Sequence, residues 1–238
     1  MKKYTAIVLS AGKGSRMKSE IPKQYMDLLG KPVIYYSLKA FEDSPIEDIV
    51  LVTGESDIEY CRNDIVEKYG LSKVRRIVAG GKERYDSVSK GLEAIAELGN
   101  CDYVMIHDGA RPMLDKEMIE RLMRAVEEKE ACVPGMPVKD TIKIADDAGF
   151  AAKTPDRKKV WLIQTPQTFS YSLICQAYKK LYMDMQAGKA VPPITDDAMV
   201  AEYAFDRNSY LVEGSYQNIK ITTPEDLDVA ALYLSHRQ

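Results

Sequence analysis

The sequence is poor in the residues that build disulfide frameworks and zinc sites. It contains four cysteines and two histidines among 238 residues, and no two cysteines form a CxxC pair. A disulfide-rich secreted domain and a zinc-binding module are therefore both disfavoured. We expect Cys61, Cys101, Cys132 and Cys175 to be scattered core thiols in a reducing cytosol.

Long apolar runs and a strong net charge are also missing. No apolar stretch reaches the roughly 18 residues that a membrane helix needs. The first apolar run is short and ends before Gly12, which does not fit a secretory signal peptide. The formal net charge is −3, which disfavours nucleic acid as a bulk electrostatic partner. We therefore expect a cytoplasmic protein that binds neither membrane nor nucleic acid.

Short apolar runs alternate with longer amphipathic stretches along the first half of the chain. This pattern predicts strands over residues 4–10, 49–53, 76–79 and 103–107, and helices over residues 33–42, 57–69, 87–98 and 116–130. The alternation favours an α/β fold, with a Rossmann-like, mostly parallel open sheet and helices on both faces. The length of 238 residues fits a single domain over residues 1–238.

The regular alternation ends near residue 132. Strands are predicted over residues 133–144 and 160–165, joined by a polar stretch that contains Gly149 and Pro155. This excursion, about residues 137–160, predicts either a protruding β-arm that makes a dimer contact or a plain long loop. Helices are predicted over 171–188 and 196–203, and strands over 211–213 and 218–221. A last helix is predicted from Pro224, with Thr223 as its N-cap.

The first predicted strand runs directly into a glycine-rich turn, residues 10–17. Small residues at the carboxyl end of a strand let backbone N–H groups approach phosphate oxygens closely. The turn lacks the P-loop pattern, and Met17 stands at the third glycine position of a dinucleotide fingerprint, which disfavours a dinucleotide-dependent oxidoreductase. Arg16 and Lys23 follow. Two cations beside such a turn suit a triphosphate, although they could also be solvated surface charges.

Seven ordered blocks of sequence together resemble one family of enzymes. They are residues 11–17 with 22–25, 80–88, 107–112, 137–141, 165–167, 194–197 and 213–227. In this order they resemble the sugar nucleotidyltransferases, and within that group the 2-C-methyl-D-erythritol 4-phosphate cytidylyltransferases. The resemblance covers nearly the whole chain, and several ordered motifs are more specific than any one of them.

The resemblance implies a role for each of thirteen residues. It assigns the CTP turn and base contacts to Ala11, Gly12, Gly14, Gly80, Gly81 and Ser87, and the phosphate charge to Arg16, Lys23 and Lys220. It assigns the second substrate to Asp108, Arg111, Thr141 and Arg157, the last two acting across a homodimer. Mg²⁺ is expected as cofactor, held mainly by phosphates with Asp108 nearby and with no certain protein ligand.

Without the resemblance, several of these residues have ordinary structural interpretations. Ser87 could be a helix N-terminal serine and Asp108 a helix cap. Lys220 lies between Ile219 and Ile221 in a predicted strand, so its side chain would face away from both and could be merely solvated. His107 is expected to be a structural member of its strand.

The reaction implied is transfer of CMP from CTP to 2-C-methyl-D-erythritol 4-phosphate, with release of pyrophosphate, in isoprenoid precursor synthesis. Two alternatives stay open: a cytidylyltransferase for ribitol 5-phosphate, and a protein that binds a nucleotide without turning it over. Lys82 departs from the family pattern, where an acidic residue is common. Contacts to the base are therefore in doubt at that position.

Overall fold

A computed structural model of the chain describes residues 2–12 and 21–236. The strands are β1 (Tyr4–Leu9), β2 (Asp27–Leu28), β3 (Lys31–Pro32), β4 (Asp48–Thr53), β5 (Val74–Ala79), β6 (Tyr103–Asp108), β7 (Ala131–Pro137), β8 (Ile144–Ala145), β9 (Ala151–Lys153), β10 (Trp161–Ile163), β11 (Gln167–Ser170) and β12 (Tyr210–Glu213). The α-helices are α1 (Val33–Glu42), α2 (Ile58–Tyr60), α3 (Arg84–Leu98), α4 (Lys116–Lys129), α5 (Tyr171–Gln186), α6 (Asp197–Phe205) and α7 (Glu225–Ser235).

The central sheet has a parallel half and a mixed half. Strands β5, β4, β1 and β6 lie side by side and are all parallel. Next to β6, β11 runs antiparallel and joins the sheet to β7, which also pairs with β10 (antiparallel) and β12 (parallel). The predicted Rossmann-like α/β fold is confirmed. The pairs among β5, β4, β1 and β6 are parallel because a crossover that contains a helix connects each of these strands to the next.

Helices cover both faces of the sheet, which explains why β1 carries buried apolar residues on both of its faces. Ala6 and Val8 of β1 belong to the core cluster under α1 and α4, whereas Ile7 belongs to the cluster under α3, α5 and α6. Neighbouring side chains of a strand point to opposite faces, so a sheet buried on both sides needs apolar residues throughout. In the described part of the chain, no helix has the length and apolar character needed to cross a membrane.

Two predicted strands are wrong. The strand predicted over 133–144 ends at Pro137, because the exposed polar residues that follow have no apolar face to bury. Residues 218–221 form no strand. Their backbone is held by isolated hydrogen bonds, from the Arg111 guanidinium to Asn218 O and from Ile221 N to Ala110 O.

The polar stretch after residue 144 is a small hairpin rather than an irregular loop. Strands β8 and β9 pair antiparallel, apart from the central sheet, and all their residues are exposed. Phe150 beside this hairpin is 73% exposed. The stretch therefore contains regular secondary structure, and its role as a dimerisation arm stays a prediction.

Three smaller differences concern helices and a strand. The helix predicted over 57–69 is α-helical in α2 but continues as a π-helix over Cys61–Glu67. Strand β11 was not predicted. The predicted Thr223 cap is wrong: the Asp226 carboxylate accepts hydrogen bonds from the backbone N–H groups of Thr222 and Thr223 and so closes the turn before α7.

Candidate active site

A cavity of about 290 Å³ opens at the carboxyl ends of the parallel strands. Strand β1 lies between β4 and β6. The chain adds β4 and β5 on one side of β1 and then crosses over to add β6 on the other side. Open α/β sheets bind ligands at such a switch point. The cavity is lined by Leu9, Ser10, Ala11, Gly12, Lys23, Gln24, Gly81, Lys82, Glu83, Arg84, Ser87, Asp108, Ala110, Lys220 and Thr222.

The turn after β1 is shaped by a buried amide that the sequence analysis did not single out. Gln24 is 3% exposed, and its Nε2 donates to Ser10 O at 2.5 Å and to Gly12 O at 3.2 Å. The short 3-10 turn Lys23–Tyr25 places this side chain against residues 10–12, the described start of the glycine-rich turn. With the carbonyls of Ser10 and Gly12 held in this way, backbone N–H groups of residues 10–12 can be directed to the cavity.

The second wall of the cavity follows β5 and requires a glycine. A Cβ added at Gly80 would lie 2.5 Å from the Ala11 Cβ and 2.8 Å from Ser87 Oγ, so any side chain there would displace the turn. Ser87 is 5% exposed; its Oγ donates to Glu83 O and accepts from Gly81 N. Ser87 therefore both lines the cavity and fixes the chain entering α3.

Asp108 ends β6 and stands at the centre of an ion cluster. Its Oδ2 lies 2.6 Å from Lys220 Nζ and 4.0 Å from Arg111 Nε, and its Oδ1 lies 3.5 Å from Arg84 Nε. Burial acts to raise the pKa of Asp108, but the three cations outweigh it and hold that pKa well below the usual range. Asp108 is therefore an ionised carboxylate, fixed by its backbone N–H bond to Thr165 Oγ1 at 3.0 Å.

Arg84 and Asp197 are the functional candidates that the sequence analysis missed. The Arg84 guanidinium donates to both carboxylate oxygens of Asp197, at 2.9 Å and 2.7 Å. Burial alone would lower the pKa of Arg84, but Asp197 and Asp108 raise it above its ordinary value. Both residues lie in motifs that carry the family resemblance, and that position in a shared block was the available signal.

Lys23 and Lys220 meet at the same cavity, although they are distant in sequence. Lys23 Nζ donates to Ile221 O at 2.7 Å, so it binds the backbone of the segment that carries Lys220. The Lys220 side chain is 37% exposed and points to Asp108. Two more predicted residues, Gly14 and Arg16, lie outside the described residues.

The remaining predicted substrate residues are placed in two different ways. The Arg111 side chain is 12% exposed and lies behind Asp108, where its Nη1 donates to Asn218 O at 2.8 Å. Burial has the largest effect and lowers the pKa of Arg111. The neighbouring Arg84 also lowers this pKa, whereas Asp108 raises it. Thr141 and Arg157 are exposed at the base of the hairpin and do not line the cavity of their own chain; Arg157 Nη1 donates to Lys139 O at 3.0 Å.

His107 is a structural residue, and its environment makes it neutral. It is fully buried, and its Nδ1 lies 3.0 Å from Thr165 Oγ1 and its Nε2 3.1 Å from Arg111 O. Because a carbonyl can only accept, Nε2 carries the proton and Nδ1 accepts from the Thr165 hydroxyl. Burial lowers the pKa of His107 from 6.5 to about 4.

We expect this histidine to make the protein less stable in mild acid. Between pH 6.5 and about 4 the unfolded chain binds a proton that buried His107 does not, so the free energy of unfolding falls as the pH falls through this window. The full loss is about 3 kcal/mol. Urea unfolding from pH 7 to pH 4 measures it. A His107→Gln variant, which keeps His236, should lose this slope; an unchanged slope would assign the effect to other groups.

A metal would find few protein ligands here. Within residues 2–12 and 21–236, no group of three or more His, Cys, Asp or Glu side chains could hold a metal ion. Two carboxylates line the cavity: Asp108, which is surrounded by cations, and Glu83, whose side chain accepts from the backbone at the start of α3. Such a donor set suits a hard cation that keeps several waters and binds mainly through substrate phosphates.

Comparisons with known proteins agree with the motif order. Residues 4–236 match the family of 2-C-methyl-D-erythritol 4-phosphate cytidylyltransferase (IspD). A protein of that name from Lachnoclostridium phytofermentans is 50% identical over 238 residues, covering 100% of this chain and 99% of the relative. One from Lachnospira eligens is 52% identical, covering 97% and 98%.

The fold agrees as well. The crystal structure of 4-diphosphocytidyl-2C-methyl-D-erythritol synthase from Anaerococcus prevotii superimposes with a TM-score of 0.82 at 34% identity, covering 98% of this chain and 99% of that one. The family predicted from the ordered motifs is confirmed. This chain is a nucleotidyltransferase and belongs to the family of the 2-C-methyl-D-erythritol 4-phosphate cytidylyltransferases.

Proposed function

We propose that this chain transfers the CMP unit of CTP to 2-C-methyl-D-erythritol 4-phosphate and releases pyrophosphate, a step in isoprenoid precursor synthesis. The observation that carries the proposal is the convergence of Lys23 and Lys220 on the cavity at the carboxyl ends of β1 and β6. Two ammonium groups beside a glycine-rich turn suit a ligand with a polyphosphate chain.

The reaction needs no general base. An oxygen of the polyol phosphate, already an anion at neutral pH, attacks the α-phosphorus of CTP. A new P–O bond forms there, and the bond to the oxygen shared with the β-phosphorus breaks, so pyrophosphate leaves with the bonding electrons. His107, the one histidine of the site, is buried behind Asp108 with both ring nitrogens engaged.

The chain contributes charge and positioning. Lys23 and Lys220 stabilise the charge that develops around the α-phosphate, and Arg16 serves the same triphosphate. Gly80, Gly81 and Ser87 lie against the base and ribose, with Ala11, Gly12 and Gly14 at the phosphates. Preorganised donors of this kind stabilise the transition state by about 3 kcal/mol each. Asp108 binds hydroxyl groups of the polyol phosphate and so holds it close to CTP, with Arg111 behind Asp108 as a counter-charge.

Enzymes of this family generally use a divalent metal, and we propose Mg²⁺. When bound, Mg²⁺ would neutralise phosphate charge, with Asp108 as the protein carboxylate nearest to it. Lys23 and Lys220 would keep the phosphate chain in line with the attacking oxygen.

An assay with identified products tests this function. The purified protein is given CTP with either 2-C-methyl-D-erythritol 4-phosphate or ribitol 5-phosphate, and the products are identified by mass spectrometry. We expect the CDP-linked erythritol product and pyrophosphate, loss of both with EDTA, and recovery with excess Mg²⁺. Preferred use of ribitol 5-phosphate would assign the chain to the sister activity. Binding of CTP with no turnover of either substrate would make it a nucleotide-binding protein.

We also propose that residues 137–160 form a dimerisation arm. Thr141 and Arg157 lie at its base, exposed and away from their own cavity, with Phe150 beside the hairpin. In a homodimer with exchanged arms, these two side chains would hold the substrate phosphate in the partner's site. The exposed apolar surface of the arm would be buried against the second copy.

Complementation between two inactive variants tests the arm. If Arg157 acts across the dimer, each site takes Lys220 from one subunit and Arg157 from the other. Arg157→Ala and Lys220→Ala then each remove one of these two contributions. Co-expression of the two should then restore about a quarter of the wild-type activity, since half of randomly mixed dimers are heterodimers with one intact site each. No recovery in mixed dimers isolated with two different tags would place Arg157 in its own subunit's site. An Arg157→Ala variant that is active by itself would place Arg157 outside catalysis.

A further inference from the structure

Arg84 is held differently from the other cations around Asp108. Both of its terminal nitrogens donate to Asp197, which leaves Nε as the group facing Asp108 Oδ1 at 3.5 Å. A planar guanidinium bound at both ends of its fork cannot rotate without losing two charge-assisted hydrogen bonds. Arg84 is therefore a fixed charge in the cavity wall.

Asp197, its partner, is fixed from three directions. It is fully buried, and Tyr178 OH donates to its Oδ1 at 2.7 Å. The backbone N–H groups of Asp197 and Ala198 both donate to Gln167 Oε1, at 2.9 Å and 3.0 Å. Gln167 belongs to β11, which pairs with β6 next to Asp108. The start of α6 is thus tied to the sheet that carries Asp108.

Lys220 contrasts with this arrangement. Its ammonium is 2.6 Å from Asp108 Oδ2, but it stands on a flexible stem and is more exposed than Arg84. If Lys220 turns to a substrate phosphate, as the proposed function requires, Asp108 loses its closest counter-charge. Arg84 cannot follow, because Asp197 holds it.

From this geometry we infer that Arg84, held by Asp197, is a positioning residue that keeps the Asp108 carboxylate in place while Lys220 engages phosphate. The inference rests on the proposed function and adds two residues to it. It predicts that Arg84 acts on the substrate held by Asp108, the polyol phosphate, and hardly on CTP.

Neutralising both partners separates positioning from simple structural support. Arg84→Gln alone leaves the buried Asp197 carboxylate without its cation, so the melting temperature of this variant should fall by several degrees. In the double variant R84Q/D197N both charges are gone, and most of that loss should be recovered. Its kcat/KM for the polyol phosphate should still lie at least about tenfold below wild type, with the KM for CTP within about twofold.

Each outcome decides the question. If kcat/KM for the polyol phosphate recovers together with the melting temperature, the pair is merely structural and the inference is wrong. An equal rise of both KM values would also overturn it. As a matched control, R207Q/E130Q removes a surface pair at 2.8 Å and should leave the kinetics unchanged. A wild-type chain that does not turn over the two substrates would instead contradict the proposed function itself.

Discussion

Replacing Lys220 with alanine is expected to lower kcat by at least about a hundredfold while the protein stays folded. The ammonium lies at the cavity beside Asp108, and we propose that it stabilises charge at the α-phosphate. Its loss should have little effect on folding, because the side chain is 37% exposed and Asp108 keeps Arg84 and Arg111 as counter-charges. Pyrophosphate release under saturating substrates measures kcat, and thermal melting checks the fold.

Lys116→Ala is the matched control for this variant. Lys116 is also a half-exposed lysine near a carboxylate, 3.9 Å from Glu120, but it lies on α4 away from the cavity. We expect it to keep wild-type kcat. A folded Lys220→Ala variant with near-normal turnover would remove Lys220 from the mechanism.

Lys23→Ala is expected to have an effect of similar size, at least about a hundredfold on turnover. Lys23 also lines the cavity, although it lies far from Lys220 in sequence. Its ammonium donates to Ile221 O at 2.7 Å. The substitution therefore removes a charge that we propose faces the phosphates, and also a bond to the segment that carries Lys220. Measuring kcat and the KM for CTP separately shows which loss dominates.

Lys23→Met tests the ammonium group separately from the apolar stem, since it keeps most of the stem and removes the ammonium. It should be as inactive as Lys23→Ala if the charge matters most. Lys39→Ala, which removes an exposed lysine paired with Asp43 on α1, is the control and should be active. Wild-type turnover in Lys23→Met would show that the ammonium does not serve the phosphates.

The parallel half of the fold could be predicted because its signals are local. β1, β4 and β6 are mostly apolar runs with buried residues on both faces, and the helices between the strands show an apolar stripe. β5, at the sheet edge, is apolar except for the exposed Arg75 and Arg76. The mixed half could not be predicted in the same way. β11 has four residues, and two of them are polar side chains that are buried only because of their long-range partners.

The candidate site shows the same division between local and distant information. The resemblance, through the order of its motifs, pointed to Asp108, Lys23 and Lys220. The strand predicted for Lys220 is wrong, since alternation over four residues says nothing about whether a neighbouring strand is present. Arg84 and Asp197 were missed, because their pairing joins α3 to α6 across 113 positions of sequence.

The contact between Lys220 and Asp108 has a consequence for ligand selectivity. A phosphate that recruits Lys220 competes with a carboxylate belonging to the same chain. A small anion such as inorganic phosphate would have to displace Asp108 from Lys220 and would make only one contact in return, so its binding would gain little free energy. A nucleotide with several anchoring points can displace it and stay bound. The α-phosphate stays in the CDP-linked product, so return of Lys220 to Asp108 after the transfer would favour departure of that product.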